Sequence, residues 1–398
     1  MSKLKILEVT TLFPRWQGDW RGPIIWQIAC ALQRKGVDVT VISMHGPGSP
    51  REEVVDGVRI LRPRYMWPTR YEVLQGTGGG LPAAWEKRPW TRLLFPLLLI
   101  SQTIAILRHA RDVDLIHAQF TIPAMAASLG KPLHKKPIVA TVRGSDIYRI
   151  PMIPGGKLFN QIALGGCEKI TVMSRDLSLA TQKQIGVPAE KIEYLPPPIN
   201  MERFWPIPWQ NRKPLLVYTA SLIPRKGPIY LIEAFAEVLK SFPDYRLVMV
   251  GRGPEEERLK QAALANGSYE KIEFISELNQ EDLAQLLRQA QLFVLPSLEE
   301  ALGMVAVEAM ASGTPVVGSN VGGIPEVVQP DTGALVPPGD SKALADAICV
   351  LLKDQSELQE MGSKARQWVL ENFYTHDQNA EHLVRIFNDI LNRRLHVT

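Results

Sequence analysis

The stretch Pro296–Asp340, PSLEEALGMVAVEAMASGTPVVGSNVGGIPEVVQPDTGALVPPGD, contains one structural unit of an open parallel sheet. An apolar strand, Leu292–Leu295, precedes it, and a polar turn leads through Gly303 into a predicted helix over Met304–Ala311. A second apolar strand, Pro315–Val317, follows and ends in a glycine-rich turn. Strand, turn, helix and strand in this order predict a doubly wound sheet, whose ligands bind beyond the carboxyl ends of the strands.

The turn around Gly303 predicts a site for a sugar-bearing phosphate ligand. Glycine lets a ligand approach the backbone closely, and the N–H groups of Met304 and Val305 at the helix start suit a phosphate. Glu300 lies in the loop and Glu308 about one turn into the helix, so both carboxylates can face the same ligand. A carboxylate accepts hydrogen bonds from two hydroxyls at once, as a ribose or a hexose offers them.

The E-x7-E spacing of Glu300 and Glu308 lies inside the pattern PSxEExxGxxxxEAMAxGxPVVxxxxGGxPEvv. This pattern resembles the signature of the retaining GT-B fold glycosyltransferases of family 4, and the resemblance extends over nearly the whole chain. It implies an α/β protein with two Rossmann-like doubly wound domains facing a cleft, and a C-terminal helix that crosses back to the first domain. We therefore expect an acceptor-binding domain over 1–197, completed by 374–398, and a nucleotide-sugar-binding domain over 198–373.

Composition limits the class of protein. A chain of 398 residues is long enough for two domains, and 45% hydrophobic with 22% charged residues is typical of a soluble globular protein. Cys30, Cys167 and Cys349 are widely spaced, form no metal-binding pattern and indicate a reducing compartment. The N-terminal sequence shows no signal-peptide pattern, and we expect the apolar run Leu93–Leu107 to be too short to span a bilayer. These features predict a cytoplasmic protein.

Charge is divided unevenly along the chain. Residues 1–200 have a net charge of +11 and residues 201–398 a net charge of −7. The asymmetry favours an anionic partner for the first half, and a solvated surface without a partner is an equal alternative. The segment Pro63–Arg92 is predicted to be a long surface excursion, in which tryptophans alternate with cations: Trp67, Arg70, Trp85, Lys87, Arg88, Trp90 and Arg92. One hypothesis is peripheral contact with an anionic membrane surface at its inner face; the alternative is that the tryptophans pack on their own domain.

A βαβ opening is predicted from Leu4 to Ile42. Gly18 and Gly22 follow its first strand, which is the usual place for contacts to a diphosphate, although ordinary turn chemistry also explains them. In the resembling family this loop meets donor phosphate or acceptor. The candidates for acceptor contacts are therefore Arg15, Asp19 and Arg21.

Two further predicted strands, 114–118 and 138–142, end in polar residues that resemble the H-x-H and H-G-x-D segments of the family. The resemblance implies that His117 and Asp146 lie in the cleft, His117 with a catalytic role and Asp146 toward the acceptor. Arg143 replaces the histidine that is common in the family. Arginine is permanently charged and forked, so Arg143 can hold an anionic acceptor or a donor phosphate but is a poor proton shuttle. A structural histidine is the alternative for His117.

The proline-rich segment 196–208 predicts the domain boundary, because it cannot form regular helix. Beyond it, the loop ASLIPRKG at 220–227 leads into a predicted helix, and Arg225 and Lys226 stand just before its N-terminus. Cations and helix N–H groups can grip a diphosphate together. Lys226 matches the family's lysine, whereas the family's earlier arginine is replaced by Ser221.

Gly251 begins the turn Gly251–Pro254, which resembles the family's VGxGP turn beside the nucleotide. No Asp-x-Asp suited to a metal-bound diphosphate lies between apolar strands, so we expect no cofactor and no dependence on divalent metal. The resemblance implies front-side attack with the diphosphate as base and no enzyme nucleophile.

The resulting prediction is hexosyl transfer from a nucleoside-diphosphate sugar to a glycan, lipid-linked or small-molecule acceptor, in the setting of polysaccharide assembly and without a nucleic-acid partner. Glu308 would hold the ribose and Glu300 the transferred sugar, while Lys226 and the helix N–H groups would stabilise the departing diphosphate. Three alternatives stay open: a hydrolysing nucleotide-sugar epimerase, a glycosidase with two carboxylates, and a nucleotide-sugar-binding paralogue without transfer activity.

Overall fold

The computed structural model describes residues 3–16, 22–74 and 88–395, and the chain divides into two units. Unit 1 comprises Met1–Pro198 with Thr375–Thr398, and unit 2 comprises Ile199–Tyr374. Each junction lies one residue later than predicted. Each unit has a mostly parallel sheet with helices, so the predicted fold class is confirmed.

Among the described residues, unit 1 contains an eight-stranded sheet. In chain order its strands are β1 (Lys5–Val9), β2 (Asp38–Ile42), β3 (Glu52–Val55), β4 (Val58–Leu61), β5 (Leu115–Gln119), β6 (Ile138–Val142), β7 (Lys169–Val172) and β8 (Ile192–Tyr194). They are arranged as β3-β4-β2-β1-β5-β6-β7-β8, parallel except for β3 against β4. The strand order reverses between β1 and β5, so the loops after these strands flank a topological switch point.

The β3–β4 hairpin was not predicted. β3 contains two glutamates and is largely exposed, so it lacks the apolar run by which most of the other strands were recognised. Its signal was the turn Asp56–Gly57, in which both residues have positive φ angles of 51° and 79°. Asp-Gly is the preferred pair for a two-residue hairpin turn.

The helices of unit 1 up to the domain boundary are α1 (Pro23–Arg34), α2 (Leu94–His109), α3 (Thr121–His134), α4 (Ser145–Tyr148), α5 (Gly156–Gly165) and α6 (Arg175–Ala180). α2 packs against α3, and α3 packs against α5 and against β5 and β6. Short 3₁₀ turns at both ends extend α2 to a helical segment of 24 residues, Pro89–Asp112. Among the described residues, this segment alone is long and apolar enough to cross a membrane, by length and composition only. The expectation that the run is too short is therefore wrong, because about 20 residues suffice.

Unit 2 contains, in its described residues, a parallel six-stranded sheet ordered β11-β10-β9-β12-β13-β14. Its strands are β9 (Leu215–Thr219), β10 (Arg246–Val250), β11 (Ile272–Ile275), β12 (Leu292–Leu295), β13 (Val316–Ser319) and β14 (Gly333–Val336). Its helices are α7 (Pro228–Ser241), α8 (Glu256–Ala265), α9 (Gln280–Gln289), α10 (Met304–Ala311), α11 (Ile324–Val327), α12 (Ser341–Lys353) and α13 (Gln355–Asn372). β12 and α10 have the predicted bounds. The strand order reverses between β9 and β12, which is where such a sheet binds ligands.

The last helix, α14 (His376–Leu395), belongs to unit 1 and packs on α1. Phe387 is fully buried, and its ring lies 5.4 Å from that of His117. The Asn379 side chain donates a hydrogen bond to the Pro196 carbonyl at 3.0 Å. The predicted return of the C-terminal helix to the first unit is confirmed.

Candidate functional site

The loops after β9 and β12 form one hydrogen-bonded structure at the switch point of unit 2. The N–H groups of Leu298 and Glu299 donate to the Arg225 carbonyl, at 2.8 and 3.3 Å. Gly227 allows this close approach, because a Cβ at that position would lie 1.9 Å from the Pro296 carbonyl oxygen. The contact places the cations of the first loop beside the carboxylates of the second.

Lys226 and Glu300 form an ion pair with Nζ and Oε2 2.6 Å apart. Their side chains are only 14% and 16% exposed, so water screens this pair less than a surface pair. The second carboxylate oxygen, Oε1, accepts the N–H of Ala301 at 3.2 Å. An ammonium has three donors, so the contact with Glu300 does not exhaust those of Lys226. The structure thus brings together two residues that are 74 positions apart in sequence.

The loop after β13 holds the backbone of Glu300 in place. The Gly323 N–H donates to the Glu300 carbonyl at 3.2 Å. Gly322 has a φ of 56°, and a Cβ there would lie 1.9 Å from the same carbonyl oxygen. A Cβ at Gly323 would lie 2.3 Å from the Ala301 carbonyl oxygen, so both glycines of the predicted turn are needed for the turn to pack against the loop of Glu300.

The N-terminus of α10 adjoins this loop. Gly303 has a φ of 91°, a left-handed conformation that turns the chain into the helix. The helical hydrogen bonds to the Gly303 carbonyl come from Ala306, at 2.9 Å, and Val307, at 3.3 Å. The N–H groups of Met304 and Val305 precede that ladder, as the first N–H groups of any helix do. A helix start of this kind suits an anion.

The other residues that were predicted to contact the donor follow the ends of neighbouring strands. Arg225 Nη1 is 3.7 Å from Glu299 Oε1, and the Arg225 Nε is buried without a hydrogen-bond partner among the described residues. Ser221 is exposed after β9 and offers a hydroxyl where the family has a cation. Gly251 follows β10, and its N–H donates to the Ile275 carbonyl at 2.8 Å.

Glu308 lies in the second turn of α10 and is partly buried. Burial raises the pKa of its carboxyl to about 8, while the charge of Arg203 acts in the opposite direction. At neutral pH this carboxyl is therefore largely protonated and can both donate and accept a hydrogen bond. Sequence reasoning did not identify Arg203, because a single arginine in the linker segment has no motif around it.

The unit 2 site therefore combines two cations and the start of a helix with two carboxyl groups. The cations and N–H groups can stabilise negative charge on a diphosphate, and the carboxyl groups can bind hydroxyls. Among the described residues, no group of three or more His, Cys, Asp or Glu side chains could hold a metal ion.

The predicted residues of the loop after β1 are only partly covered by the structure. Gly18, Asp19 and Arg21 lie outside the described residues. Gly22 is the N-cap of α1 with a φ of 62°. The Arg15 guanidinium lies 4.0 Å from the ring centroid of Trp16, which is 52% exposed. A binding role for Arg15 stays a prediction.

His117 does not lie at the end of its strand. β5 continues to Gln119, and His117 is fully buried inside it. Its Nε2 is 2.8 Å from the Thr141 hydroxyl, and Phe387 covers its ring. Burial and the charge of Arg143 lower the pKa of His117 to about 3, so the ring stays neutral at ordinary pH. The geometry agrees with the alternative that His117 is a structural histidine, and it does not support a catalytic role.

Arg143 and Asp146 are also engaged inside unit 1. Both carboxylate oxygens of Asp146 accept the Arg143 N–H, at 3.1 and 3.4 Å, and the residue is 3% exposed. The Arg143 guanidinium donates to Gln119 Oε1 at 2.9 Å. A cavity of about 20 Å³ beside Arg143, Gln119 and His117 has room for about one water molecule. In this conformation Asp146 stabilises its own turn, and Gln119 holds the guanidinium of Arg143.

Glu8 completes this buried group and was missed by sequence reasoning. Its Oε1 accepts a hydrogen bond from Gln119 at 3.2 Å, and burial raises the pKa of its carboxyl to about 8. The available signal was a lone acid in the otherwise apolar part of β1, ILEV. Buried acids among apolar strands have strongly raised pKa values and recur at functional sites.

Comparison with known proteins gives matches in both units. A family model described as "Glycosyl transferases group 1" matches residues 201–368, and one described as "Glycosyltransferase Family 4" matches residues 24–203. The chain is 27% identical over 308 residues to N-acetyl-alpha-D-glucosaminyl L-malate synthase of Bacillus anthracis, covering 74% of this chain and 79% of the relative. It is 28% identical over 309 residues to GDP-mannose-dependent alpha-(1-6)-phosphatidylinositol monomannoside mannosyltransferase of Mycolicibacterium smegmatis, covering 73% and 80%.

The fold also matches a solved structure. The sucrose-phosphate synthase from Thermosynechococcus elongatus superposes with a TM-score of 0.79 at 21% identity, covering 98% of this chain and all of the other. The match supports the GT-B fold that the family pattern implied.

Proposed function

Because the chain belongs to the group 1, family 4 glycosyltransferases, we propose that it transfers a hexosyl unit from a nucleoside-diphosphate sugar, with retention of anomeric configuration and without a divalent metal. The observation that supports the proposal most is the partly buried Lys226–Glu300 pair beside the start of α10. This arrangement offers positive charge for a leaving diphosphate and a carboxylate for the hydroxyls of the transferred sugar.

The roles of the residues follow from their groups. Lys226, Arg225 and the first N–H groups of α10 would stabilise charge that develops on the departing diphosphate, which is usually the largest catalytic contribution. Glu300 would bind the transferred sugar, and Glu308, further along α10, would bind the ribose. With these cations supplying the charge, a metal ion has no necessary role. We assign no enzyme nucleophile, and the departing diphosphate would act as the base in a front-side attack.

The acceptor is proposed to be anionic or linked to a lipid. L-Malate and phosphatidylinositol monomannoside, in the names of the two relatives, both contain acidic groups. The first 200 residues of this chain, which form nearly all of unit 1, have a net charge of +11. That charge favours an anionic acceptor by electrostatic attraction. The three cysteines are free thiols, which fits a reaction in a reducing, cytoplasmic compartment.

A thermal-shift panel with UDP, GDP and ADP and their hexose derivatives tests the donor site. A ligand at about one hundred times its dissociation constant adds roughly 2.7 kcal/mol to the free energy of unfolding. We expect one base to stabilise the wild type and to stabilise Glu308→Ala much less. Glu360→Ala, which removes an exposed carboxylate on α13, is the matched control and should respond as the wild type does.

Two results would contradict the proposal. The absence of any shift in the wild type would mean that unit 2 binds no nucleotide, and a full shift in Glu308→Ala would remove Glu308 from the site. Metal independence is tested separately, by measuring sugar transfer in the presence of a chelator. Transfer that stops with the chelator and returns with added Mg²⁺ would refute that part.

A further inference from the structure

The outer side of the helices α2, α3 and α5 in unit 1 is unusually apolar. On α2 and the turn before it, the exposed side chains are Leu93 (77%), Leu97 (40%), Ile100 (56%) and Ile104 (43%). Their spacing of four, three and four residues places them on one side of the helix. Trp90, 46% exposed, precedes them at the same spacing. These residues form a continuous apolar stripe along α2.

The neighbouring helices extend this stripe into a face. α3 packs beside α2, and α5 packs beside α3. Further exposed apolar side chains on these two helices are Leu129 (54%), Leu133 (74%), Leu158 (61%) and Ile162 (48%). We call the exposed apolar residues of α2, α3 and α5 the three-helix face. An exposed apolar surface of this extent usually marks an interaction site.

The charged side chains on the three helices of the face have one sign. None of the three helices, each described from end to end, contains an aspartate or a glutamate. Arg92 and Arg108 are exposed at the two ends of the α2 stripe, which places them about 24 Å apart along the helix. Lys157 is exposed at the start of α5, and the first acid after α2 is Asp112.

The segment from Arg64 to Tyr71 adds aromatic residues beside α2. The Arg64 carbonyl accepts a hydrogen bond from the Ser101 hydroxyl of α2 at 2.8 Å, and the rings of Tyr71 and Trp90 meet edge to face at 6.4 Å. Trp67 lies in this segment and is 74% exposed. Tryptophan and arginine beside an apolar surface are the combination found at membrane–water interfaces.

We propose that the three-helix face docks on an anionic phospholipid surface, with α2 lying in the plane of the interface. The opposite side of α2 is part of the core of unit 1: Leu98 and Ile106 are buried, and the buried Gln102 donates to the Thr10 carbonyl at 3.3 Å. α2 therefore lies on the bilayer and does not cross it. A second copy fits the face less well, because its arginines would meet arginines of the same face. The inference goes beyond the proposed function, since none of the residues of the three-helix face has a role in donor or acceptor binding there.

Flotation of the full-length protein with vesicles tests this inference. One set of vesicles is phosphatidylcholine alone, and the other is phosphatidylcholine mixed with phosphatidylglycerol. We expect binding to the anionic set only. Leu97→Gln with Ile100→Gln should abolish it, and Arg92→Gln with Arg108→Gln should weaken it by about fivefold for each arginine, which corresponds to about 1 kcal/mol per cation.

The matched control is Val350→Gln with Leu370→Gln, which removes two comparably exposed apolar side chains (62% and 52%) from helices of unit 2. It should bind as the wild type does. Nucleoside-diphosphate thermal shifts of all variants show whether each is folded, independently of lipid.

Four results of the vesicle experiments would overturn the inference. These are no binding of the wild type to anionic vesicles, equal binding to neutral vesicles, unchanged binding of the Leu97 and Ile100 variant, and equal loss of binding in the control. A concentration-dependent dimer that this variant loses would assign the three-helix face to a second copy and would also overturn it.

Discussion

At the scale of single residues, Glu300 and Lys226 each engage a hydrogen-bonding group of the other. Their 2.6 Å contact takes one of the three donors of Lys226 and leaves two for a diphosphate. The remaining lone pairs of Glu300 can accept hydrogen bonds from the hydroxyls of a sugar. The ion pair therefore holds both side chains in place before the donor arrives. Substitution of either residue can test this role.

Glu300→Gln should separate binding of the nucleotide from binding of the sugar. We expect the variant to bind the nucleoside diphosphate at least as tightly as the wild type, because Lys226 is no longer neutralised by a carboxylate. We expect it to lose the additional affinity for the diphosphate sugar. Calorimetric titration with both ligands measures this difference, and Glu299→Gln, which changes the adjacent carboxylate, should keep the sugar preference. A Glu300→Gln variant that still prefers the diphosphate sugar would place the sugar elsewhere.

Glu308 should make stability depend on pH. Its pKa is raised from 4.5 to about 8 in the folded protein, so the folded state holds a proton that the unfolded state releases between these values. The free energy of unfolding should therefore fall as pH rises from about 4.5 to 8. Glu308→Gln removes this effect, so its melting temperature should rise relative to that of the wild type across that window. A difference that stays constant between pH 5 and pH 9 would contradict the raised pKa, and Glu360→Gln serves as the exposed control.

The residues of the unit 2 site were largely predictable, whereas those of unit 1 were not. Glu300, Gly303 and Lys226 lie in motifs with fixed spacing, and the structure places them at the edge that the pattern indicated. His117 was assigned to a strand end because the predicted strand, 114–118, ended one residue before the observed one. Burial by α14, which lies more than 250 residues away in sequence, decides its environment, and no local pattern contains that information.

At the scale of elements, the turn after β13 determines where Glu300 lies. Gly322 and Gly339 both have positive φ angles, of 56° and 77°, so alanine strains the backbone at either position. At Gly322 a Cβ would also lie 1.9 Å from the Glu300 carbonyl oxygen, whereas at Gly339 the nearest contact is an ordinary 3.5 Å. An alanine therefore has the cost of a left-handed conformation at both positions, and it has a steric conflict only at Gly322.

We expect Gly339→Ala to cost about 1–2 kcal/mol of unfolding free energy, which is the cost of the left-handed conformation. Gly322→Ala should cost more and should also weaken donor binding, because the loop of Glu300 must move. Urea denaturation and the nucleotide thermal shift measure the two effects. Equal costs with unchanged donor binding would show that the turn does not position Glu300.

At the scale of the whole molecule, the chain completes unit 1 only with its last helix. Phe387 of α14 is fully buried against His117. Phe387→Ala should lower the free energy of unfolding by about 3–5 kcal/mol, as large truncations in cores do. Leu370→Ala, an exposed position on α13 (52%), should change it by about 0.5 kcal/mol or less. Thermal denaturation compares the variants, and a Phe387→Ala protein that melts as the wild type does would contradict the packing of α14 on the sheet.

The fold was predictable at this scale because parallel strands are short apolar runs between helices. β12 and α10 have the predicted bounds, and the predicted unit boundary at 197/198 lies one residue from the observed one. The β3–β4 hairpin was missed, because β3 is half acidic and largely exposed, and the short edge strand β14 was missed as well. The length of the helical segment around α2 was underestimated, because the 3₁₀ turns at its ends have no apolar pattern.

The central claim is that unit 2 recognises a diphosphate through Lys226. Calorimetric titration with a nucleoside diphosphate and the matching monophosphate tests it most directly, using the base found in the thermal-shift panel. A hydrogen bond to a charged group contributes about 1.5–3 kcal/mol, so the wild type should prefer the diphosphate by about tenfold or more. Lys226→Ala should lose that preference, and Lys240→Ala, which breaks an exposed lysine–glutamate pair on α7, should keep it. Equal affinity of the wild type for both nucleotides, or a full preference in Lys226→Ala, would contradict the account.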